Sequence, residues 1–344
     1  MRKYLLSKDK NAYKANLHSH STCSDGDFSP EELKELYKAQ GYSIVAFTDH
    51  DVFLQHNDLT DESFLALNGY EMEINQKKFQ ITLASGVKKA CHMCLIALEP
   101  DKVTPVCWHR ENYFIKNGIN YRDQVKNDES LPDFVREYTG ECISEMMTLG
   151  RNNGFFVTYN HPTWSTEDYT DYTSYHGMHA MEMVNYQNLV NGFAEHNERV
   201  YDDMLNVGKR IFCIAADDCH HANGMFGGAT VIFADKLEYR AVTDALIRGD
   251  FYATEGPEIK SLYIEDGILV VESSAAAHIR VDTGTRHAAQ VFNKNGTPVT
   301  RAEFDLNGIP NLYYFRVTVT DMGGKCAYSN AYFEDEVMQP ATTL

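Results

Sequence analysis

Between residue 14 and about residue 255 the chain alternates short apolar runs with segments of helical periodicity, the pattern of strands joined by crossover helices. The first unit shows the rule. Residues 15–20 read as a short strand, and after a Ser/Asp/Gly loop SPEELKELYKAQG reads as a helix. Ser29 is its N-cap, Pro30 its first residue, Glu32 the partner that completes a capping box, and Gly41 its stop. Leu33, Leu36 and Tyr37 form its buried stripe. Residues 42–48 are almost wholly apolar, as expected of a parallel strand covered on both faces. Further strands are expected at 155–159, 178–184 and 211–215, with one helix running to Gly208 and a last one ending near Gly249.

Residues 100–140 interrupt this alternation. They are polar and aromatic and too long for an ordinary connection, so they read as an insertion of the kind that serves as a lid or specificity loop. Past Thr254-Glu255-Gly256-Pro257 the segments become short and alternating, as at 268–271, 278–281 and 312–319, and Asn295-Gly296 is a hairpin signal. The expected division is one domain over 1–255 and a small antiparallel β domain, a sandwich, over 256–344.

Composition narrows the partners. A net charge of −18 argues against a nucleic acid polymer, whose binding needs a basic face. It leaves room for a small phosphate ester if metal ions supply positive charge locally. The N-terminus MRKYLLSKDK lacks the apolar core of a secretory signal, and no stretch approaches ~18 apolar residues, so a cytoplasmic protein without a membrane partner is expected. The 8 cysteines are unevenly spaced and read as reduced thiols. Cys91 and Cys94 fall on an apolar strand, where their odd spacing sends the sulfurs to opposite faces.

The chemistry lies in scattered imidazoles and carboxylates. His18 and His20, separated by one residue on a strand, project from the same face and can hold one metal. Asp25 follows in Ser24-Asp25-Gly26, His50 in Thr48-Asp49-His50-Asp51, Glu71 in Gly69-Tyr70-Glu71, His92 in a later strand, His161 in Asn160-His161-Pro162, and Asp218 and His220 in Asp217-Asp218-Cys219-His220. Most fall where expected parallel strands run out, the rim on which α/β barrels assemble their sites. So many buried polar groups would be costly without compensation, and bound cations are the simplest account. Imidazole mixed with carboxylate suits Zn²⁺, Mn²⁺ or Fe²⁺ better than Ca²⁺.

In this order the motifs resemble those of the PHP (polymerase and histidinol phosphatase) superfamily, over residues 14 to about 255. The resemblance implies a distorted seven-stranded (β/α) barrel that binds two or three divalent metals. It assigns His18, His20, Glu71 and Asp218 to one metal, with Glu71 bridging to a second held by His92 and His161, and Asp25, His50 and His220 to a third. Residues 252–258 and 327–332 look like the small β domain that some PHP hydrolases append. The branches it most resembles are nucleotide phosphoesterases and carbaryl-hydrolase-like members.

The expected function is therefore hydrolysis of a small phosphorylated metabolite, a nucleotide among the candidates, by metal-activated hydroxide. Glu71, His50 and His220 carry the catalytic roles, the two histidines being placed to protonate the leaving oxygen. Arg110, Arg122 and Arg151 are the candidates for gripping phosphate, and Tyr113, Phe114, Tyr121 and Trp164 for stacking on a ring. Asp49 and Asp51 read as loop caps or partners that orient imidazoles, and His176, His179 and His196 as structural. The alternatives are a carboxyl-ester or amide metallohydrolase and a non-catalytic binding module.

Overall fold

Local signals and their outcome agree closely at the first helix. The computed structural model describes residues 2–338, so the outermost residues of the ranges 1–255 and 256–344 lie outside the described residues. β1 (Arg2–Tyr4) and β2 (Asn11–Asn16) lead into α1 (Pro30–Ala39). Here Ser29 and Glu32 close the capping box, Pro30 opens the helix, and Leu33 and Tyr37 are buried. There follow β3 (Ile44–Phe47), β4 (Leu65–Asn75), β5 (Ala90–Ala97), α2 (Gly140–Asn152), β6 (Phe155–Asn160), α3 (Tyr169–Tyr172), β7 (Ala180–Asn185), α4 (Tyr186–Val190) and α5 (Glu198–Asn206). β8 (Phe212–Ala216), β9 (Ala229–Ala234), α6 (Tyr239–Arg248) and β10 (Phe251–Thr254) come next. The remainder is β11 (Ile259–Glu265), β12 (Ile268–Ala276), β13 (His278–Thr283), β14 (Ala289–Phe292), β15 (Val299–Asp305), β16 (Tyr314–Thr320), β17 (Cys326–Ser329), β18 (Tyr332–Phe333) and the final turn α7 (Glu334–Val337).

One 14-stranded sheet runs β14, β13, β16, β17, β10, β9, β2, β3, β4, β5, β6, β7, β8, with β18 beside β16; a second, 4-stranded sheet runs β1, β11, β12, β15. Apolar side chains from eight consecutive strands of the large sheet, Ala15, Ile44, Leu67, Ile96, Phe156, Ala180, Ile214 and Ile232, share one buried core. The sheet therefore curls around them. Where β8, one end of the sheet, comes back to the interior strand β9, Thr230 Oγ1 donates to Ala215 O at 3.0 Å and accepts from Ala215 N at 3.3 Å, and no backbone ladder joins β8 to β9 among the described residues.

The parallel pairing expected of strands joined by crossover helices holds for part of the sheet, which is mixed. β2–β3–β4 and β6–β7–β8 pair in parallel, but β5 is antiparallel to both β4 and β6, and β9 is antiparallel to β2. This reversal explains how His92, at the start of its strand, reaches the same rim as residues at the ends of others: it stands opposite Glu73 on β4 and Asn160 on β6.

Toward the C-terminus, Leu262, Leu269, Val271 and Phe304 of the smaller sheet share a core with Ile279, Phe315, Val317 and Val319 of the large one. Asn295 and Gly296 form a tight turn with φ of 54° and 79°. Across it Lys294 and Thr297 form one antiparallel bridge, with Thr297 N donating to Lys294 O at 3.0 Å, and beyond that pair the strands part, β14 joining β13 and β15 joining β12. From residue 98 to 139 the backbone holds only a 3-10 segment, Lys116–Gln124. That stretch is pinned by Arg136, buried and ion-paired with Asp51 through Nη1 at 2.9 Å and through Nη2, with a further bond from Nη1 to Glu73 O at 3.1 Å. No helix among the described residues is long and apolar enough to cross a membrane.

Candidate metal centre

β2 ends at Asn16, so His18 and His20 lie beyond the strand expected to carry them. Their backbone nevertheless stays extended, because Asp218 N donates to His18 O at 2.9 Å, His20 N to Cys219 O at 3.0 Å, and Thr48 N to Ser19 O at 3.0 Å. Both imidazoles consequently point the same way, with Nε2 atoms 3.1 Å apart. The following loop wraps closely: a Cβ on Gly26 would sit 2.2 Å from His20 O, which is why Ser24-Asp25-Gly26 carries glycine. Asp49 holds the loop from inside, accepting from Ser21 N at 2.8 Å, Ser21 Oγ at 2.7 Å and Ser24 Oγ at 2.6 Å.

Glu71, almost fully buried on β4, occupies the centre. Its Oε1 lies 3.2 Å from His18 Nε2 and 3.4 Å from both His92 Nδ1 and His161 Nε2, and its Oε2 lies 3.3 Å from His20 Nε2 and from His50 Nδ1. Asp218 Oδ1 is 3.2 Å from His18 Nε2 and 3.1 Å from His20 Nε2. Asp25 Oδ1 faces His220 Nε2 at 3.4 Å, His20 Nδ1 at 3.6 Å and His50 Nε2 at 3.8 Å. His161 and Asp218 adopt positive φ, 26° and 54°, a backbone cost that persists where the surroundings fix the residue in place.

Three groups of donors converge: His18, His20, Glu71 and Asp218; His20, Asp25, His50 and His220; and His50, Glu71 and His92. The first coincides with the ligand set that the family resemblance implies. The second adds His20 to the expected Asp25, His50 and His220. The third pairs Glu71 and His92 with His50, while the expected His161 stands beside it, against Glu71.

Proton bookkeeping tests whether cations fit. His18 Nδ1 faces the Glu182 carboxylate at 2.7 Å, which only accepts, so that nitrogen donates and Nε2 presents a lone pair. In the neutral ring that lone pair faces His20 Nε2 at 3.1 Å and Glu71 Oε1 and Asp218 Oδ1 at 3.2 Å, so a proton or a cation is needed between them. Asp218 Oδ1, His50 Nδ1 and His92 Nδ1 are buried without any hydrogen-bond partner. Burial disfavours charge on His20, but Asp218 and Glu71 outweigh it and push its pKa up to about 10; burial likewise opposes charge on Glu71, whose carboxyl His18 and His92 hold well below the usual range. Such a cluster demands positive charge, and divalent cations with mixed nitrogen and oxygen ligands satisfy it.

Residues 16–201, more than half of the chain, match the PHP domain family. The chain belongs to the PHP family. The resemblance read from the motifs, that of a PHP superfamily metal-dependent hydrolase, therefore holds. Among curated relatives, the DNA polymerase/3'-5' exonuclease PolX of Bacillus subtilis is 38% identical over 79 residues, 18% of this chain and 14% of the relative. A 5'-3' exoribonuclease of Haemophilus influenzae is 33% identical over 97 residues, 27% of this chain and 31% of the relative. The chain thus spans less than a third of either. A solved two-domain protein containing a predicted PHP-like metal-dependent phosphoesterase, from Bacteroides vulgatus, is similar over 96% of this chain and 98% of its own at 14% identity, with a TM-score of 0.45.

The PHP centre opens into a cavity of about 350 Å³ whose walls include Glu73, Ile115, Lys116, Trp164, Gln187 and Asn188. A larger one, about 540 Å³, lies near Lys14, Tyr42 and Tyr252 and touches none of these imidazoles and carboxylates. Arg110, Arg122 and Arg151 do not line the metal-site cavity. Arg110 is committed to Asp133 at 2.8 Å and to the carbonyls of Glu129 and Leu131, Arg122 to Glu111 O at 3.1 Å, and Arg151 ends α2, exposed. Tyr113, Phe114 and Tyr121 also lie outside it.

Several supporting residues escaped sequence reasoning. Glu182, besides holding His18, accepts from His161 N and Asn185 Nδ2, both at 2.9 Å. Asn160 Nδ2 donates to Glu71 Oε1 at 2.8 Å, and Asn185 Nδ2 to Asp218 Oδ2 at 3.0 Å. The available signal was a polar residue among apolar ones on a buried strand or at its end, as with Glu182 and Asn185 in AMEMVN and Asn160 in FFVTYN. Asp217, the neighbour of Asp218, faces away and ties the following loop, accepting from the amides of Phe226, Gly227 and Gly228 and from Tyr37 Oη.

Proposed function

We propose that this PHP-family protein is a metal-dependent phosphoesterase of small phosphorylated metabolites, with residues 1–255 as its catalytic unit. The observation that supports it most is the convergence on the buried Glu71 carboxylate of five imidazoles, those of His18, His20, His50, His92 and His161, with the Asp218 carboxylate beside two of them. His18, His20, Glu71 and Asp218 would hold one divalent ion, and His50, His92, His161, Asp25 and His220 would complete the adjoining positions. Bound divalent ions supply Lewis acidity and neutralise the charge of a phosphoryl group.

The chain's own residues do the rest. His220 Nδ1 lies 2.9 Å from the carbonyl of Asp218, so it donates there and leaves Nε2 as a lone pair toward Asp25; this suits a ligand better than a proton donor. Lys116, carried on the rim by the 98–139 segment with Nζ 3.2 Å from Asp25 Oδ2, is the ammonium placed to meet a phosphate oxygen. In the reaction the oxygen of water bonds to phosphorus, the bond to the ester oxygen breaks, and the departing oxygen takes a proton. Nucleotides are the first substrate class to try.

The test is release of inorganic phosphate from nucleoside and sugar monophosphates by protein whose loading with Mn²⁺, Zn²⁺ or Fe²⁺ has been verified. Release from one group supports the reading and names the class. Silence from the fully metallated protein, on these and on a phosphodiester, overturns it in favour of carboxyl esters or amides.

A further inference from the structure

We propose that Asn188 and Trp164 form a base-binding wall of the metal-site cavity, which makes the preferred leaving group a nucleoside. For its chemistry this rests on the phosphoesterase reading; for binding it stands alone.

Asn188 is 5% exposed and lines the cavity. Its backbone N is bonded to Asn185 Oδ1 at 3.1 Å and its O to Phe193 N at 3.0 Å, but its side-chain amide bonds to no described residue. The carboxamide, unspent on the protein and open to the cavity, is available to a ligand. Its neighbour Gln187 is different: Nε2 donates to Asn191 Oδ1 at 3.3 Å and Oε1 accepts from His220 N at 3.5 Å.

Trp164 supplies the complementary surface. It is 38% exposed, and its ring stands nearly edge-on to His92 and His161, with centroids 5.3 and 5.0 Å away and planes crossing at 69° and 86°. Glu195 fixes the turn that carries it, accepting from Thr163 N at 3.1 Å and Trp164 N at 2.8 Å. Asn185, which caps Asn188, also donates to Asp218. Asn188 is thus tied through Asn185 to Asp218, and the turn that carries Trp164 closes on His161, with Ser165 N donating to His161 O at 3.1 Å.

The class follows from what is free. A carboxamide offers a paired donor and acceptor, which matches the edge of a nucleobase, and stacking on an aromatic side chain adds roughly 1–3 kcal/mol per base. A sugar would need a partner for each of its hydroxyls. The cavity, at about 350 Å³, has the size of a small-ligand pocket.

In a Trp108→Phe background Trp164 is the sole tryptophan, because the chain has 2. Metal-loaded protein is titrated with adenosine, guanosine, cytidine and uridine, and with ribose as control, while tryptophan fluorescence is followed. Saturable quenching by a nucleoside and not by ribose is expected. Asn188→Leu and the near-isosteric Asn188→Asp should both raise Kd by about tenfold, the equivalent of 1.4 kcal/mol, at unchanged metal content. In turnover, the preference for a nucleoside monophosphate over ribose 5-phosphate should shrink by a similar factor. Absence of quenching by all four nucleosides overturns the inference even if phosphate is released. Quenching without any phosphate release leaves the base wall standing and overturns the phosphoesterase reading.

Discussion

Glu182 Oε1 lies 2.7 Å from His18 Nδ1 with both side chains fully buried. The carboxylate fixes the ring's tautomer and so turns the Nε2 lone pair toward Glu71 and Asp218. Glu182→Gln keeps the volume but sets an amide against His161 N and Asn185 Nδ2, both donors. Outer partners of this kind typically contribute 10–100-fold in metal affinity, and a loss of about that size is expected in a chelator competition, with activity restored by excess metal. Unchanged affinity would show that His18 is oriented by other means.

Glu71 touches every group of donors, so Glu71→Ala should remove metal and activity together. The comparison is Cys91→Ala: Cys91 is buried among apolar neighbours and away from the centre, and metal content should not change. Arg110→Ala, Arg122→Ala and Arg151→Ala should likewise leave kcat/KM where it was. Metal analysis beside steady-state kinetics checks all five, and a Glu71→Ala protein that kept its metal would break the assignment.

The difference between what the sequence disclosed and what it hid is physical. α1 was legible to the residue because its capping box, proline and glycine are local signals. The convergence of imidazoles and carboxylates was legible because ionisable groups at strand ends in a fixed succession have few structural explanations. The reversal of β5 was not, since an apolar strand such as ACHMCLIA reads alike in either direction. The arginines misled for a related reason: a guanidinium in a loop looks available in the sequence, yet Arg110 is spent on Asp133. Asn188 could not be singled out at all, because an amide declares itself only once its neighbours are seen to leave it unbonded.

Arg136 is the anchor of the 98–139 segment, so its loss should be felt twice. Removing one partner of a buried ion pair costs about 3–5 kcal/mol, and Arg136→Met should lower stability by that order in urea unfolding. The segment also carries Lys116 to the cavity rim, so KM for a phosphate ester should rise while metal content is retained. Asp51→Asn in the same chain should recover part of the stability by removing the orphaned carboxylate. Failure of the single substitution to destabilise would mean that the pair contributes little beyond its own desolvation.

His179 gives a pH dependence whose sign is fixed by its hydrogen bond. Its Nδ1 accepts from Val157 N at 3.0 Å and its ring stacks on Phe156, so the folded protein needs it neutral. Burial, with Arg151 adding to it, pushes its pKa down to about 4, against about 6.5 in an unfolded chain. Between those values the unfolded state binds the extra proton, so the contribution is complete above pH 6.5 and is lost as pH falls toward 4, by at most about 1.4 kcal/mol per pH unit. Urea midpoints taken from pH 7.5 to 4 should fall more steeply for the wild-type protein than for His179→Asn, since only the former has an imidazole to protonate. Parallel curves would mean that the Val157 amide tolerates a charged ring.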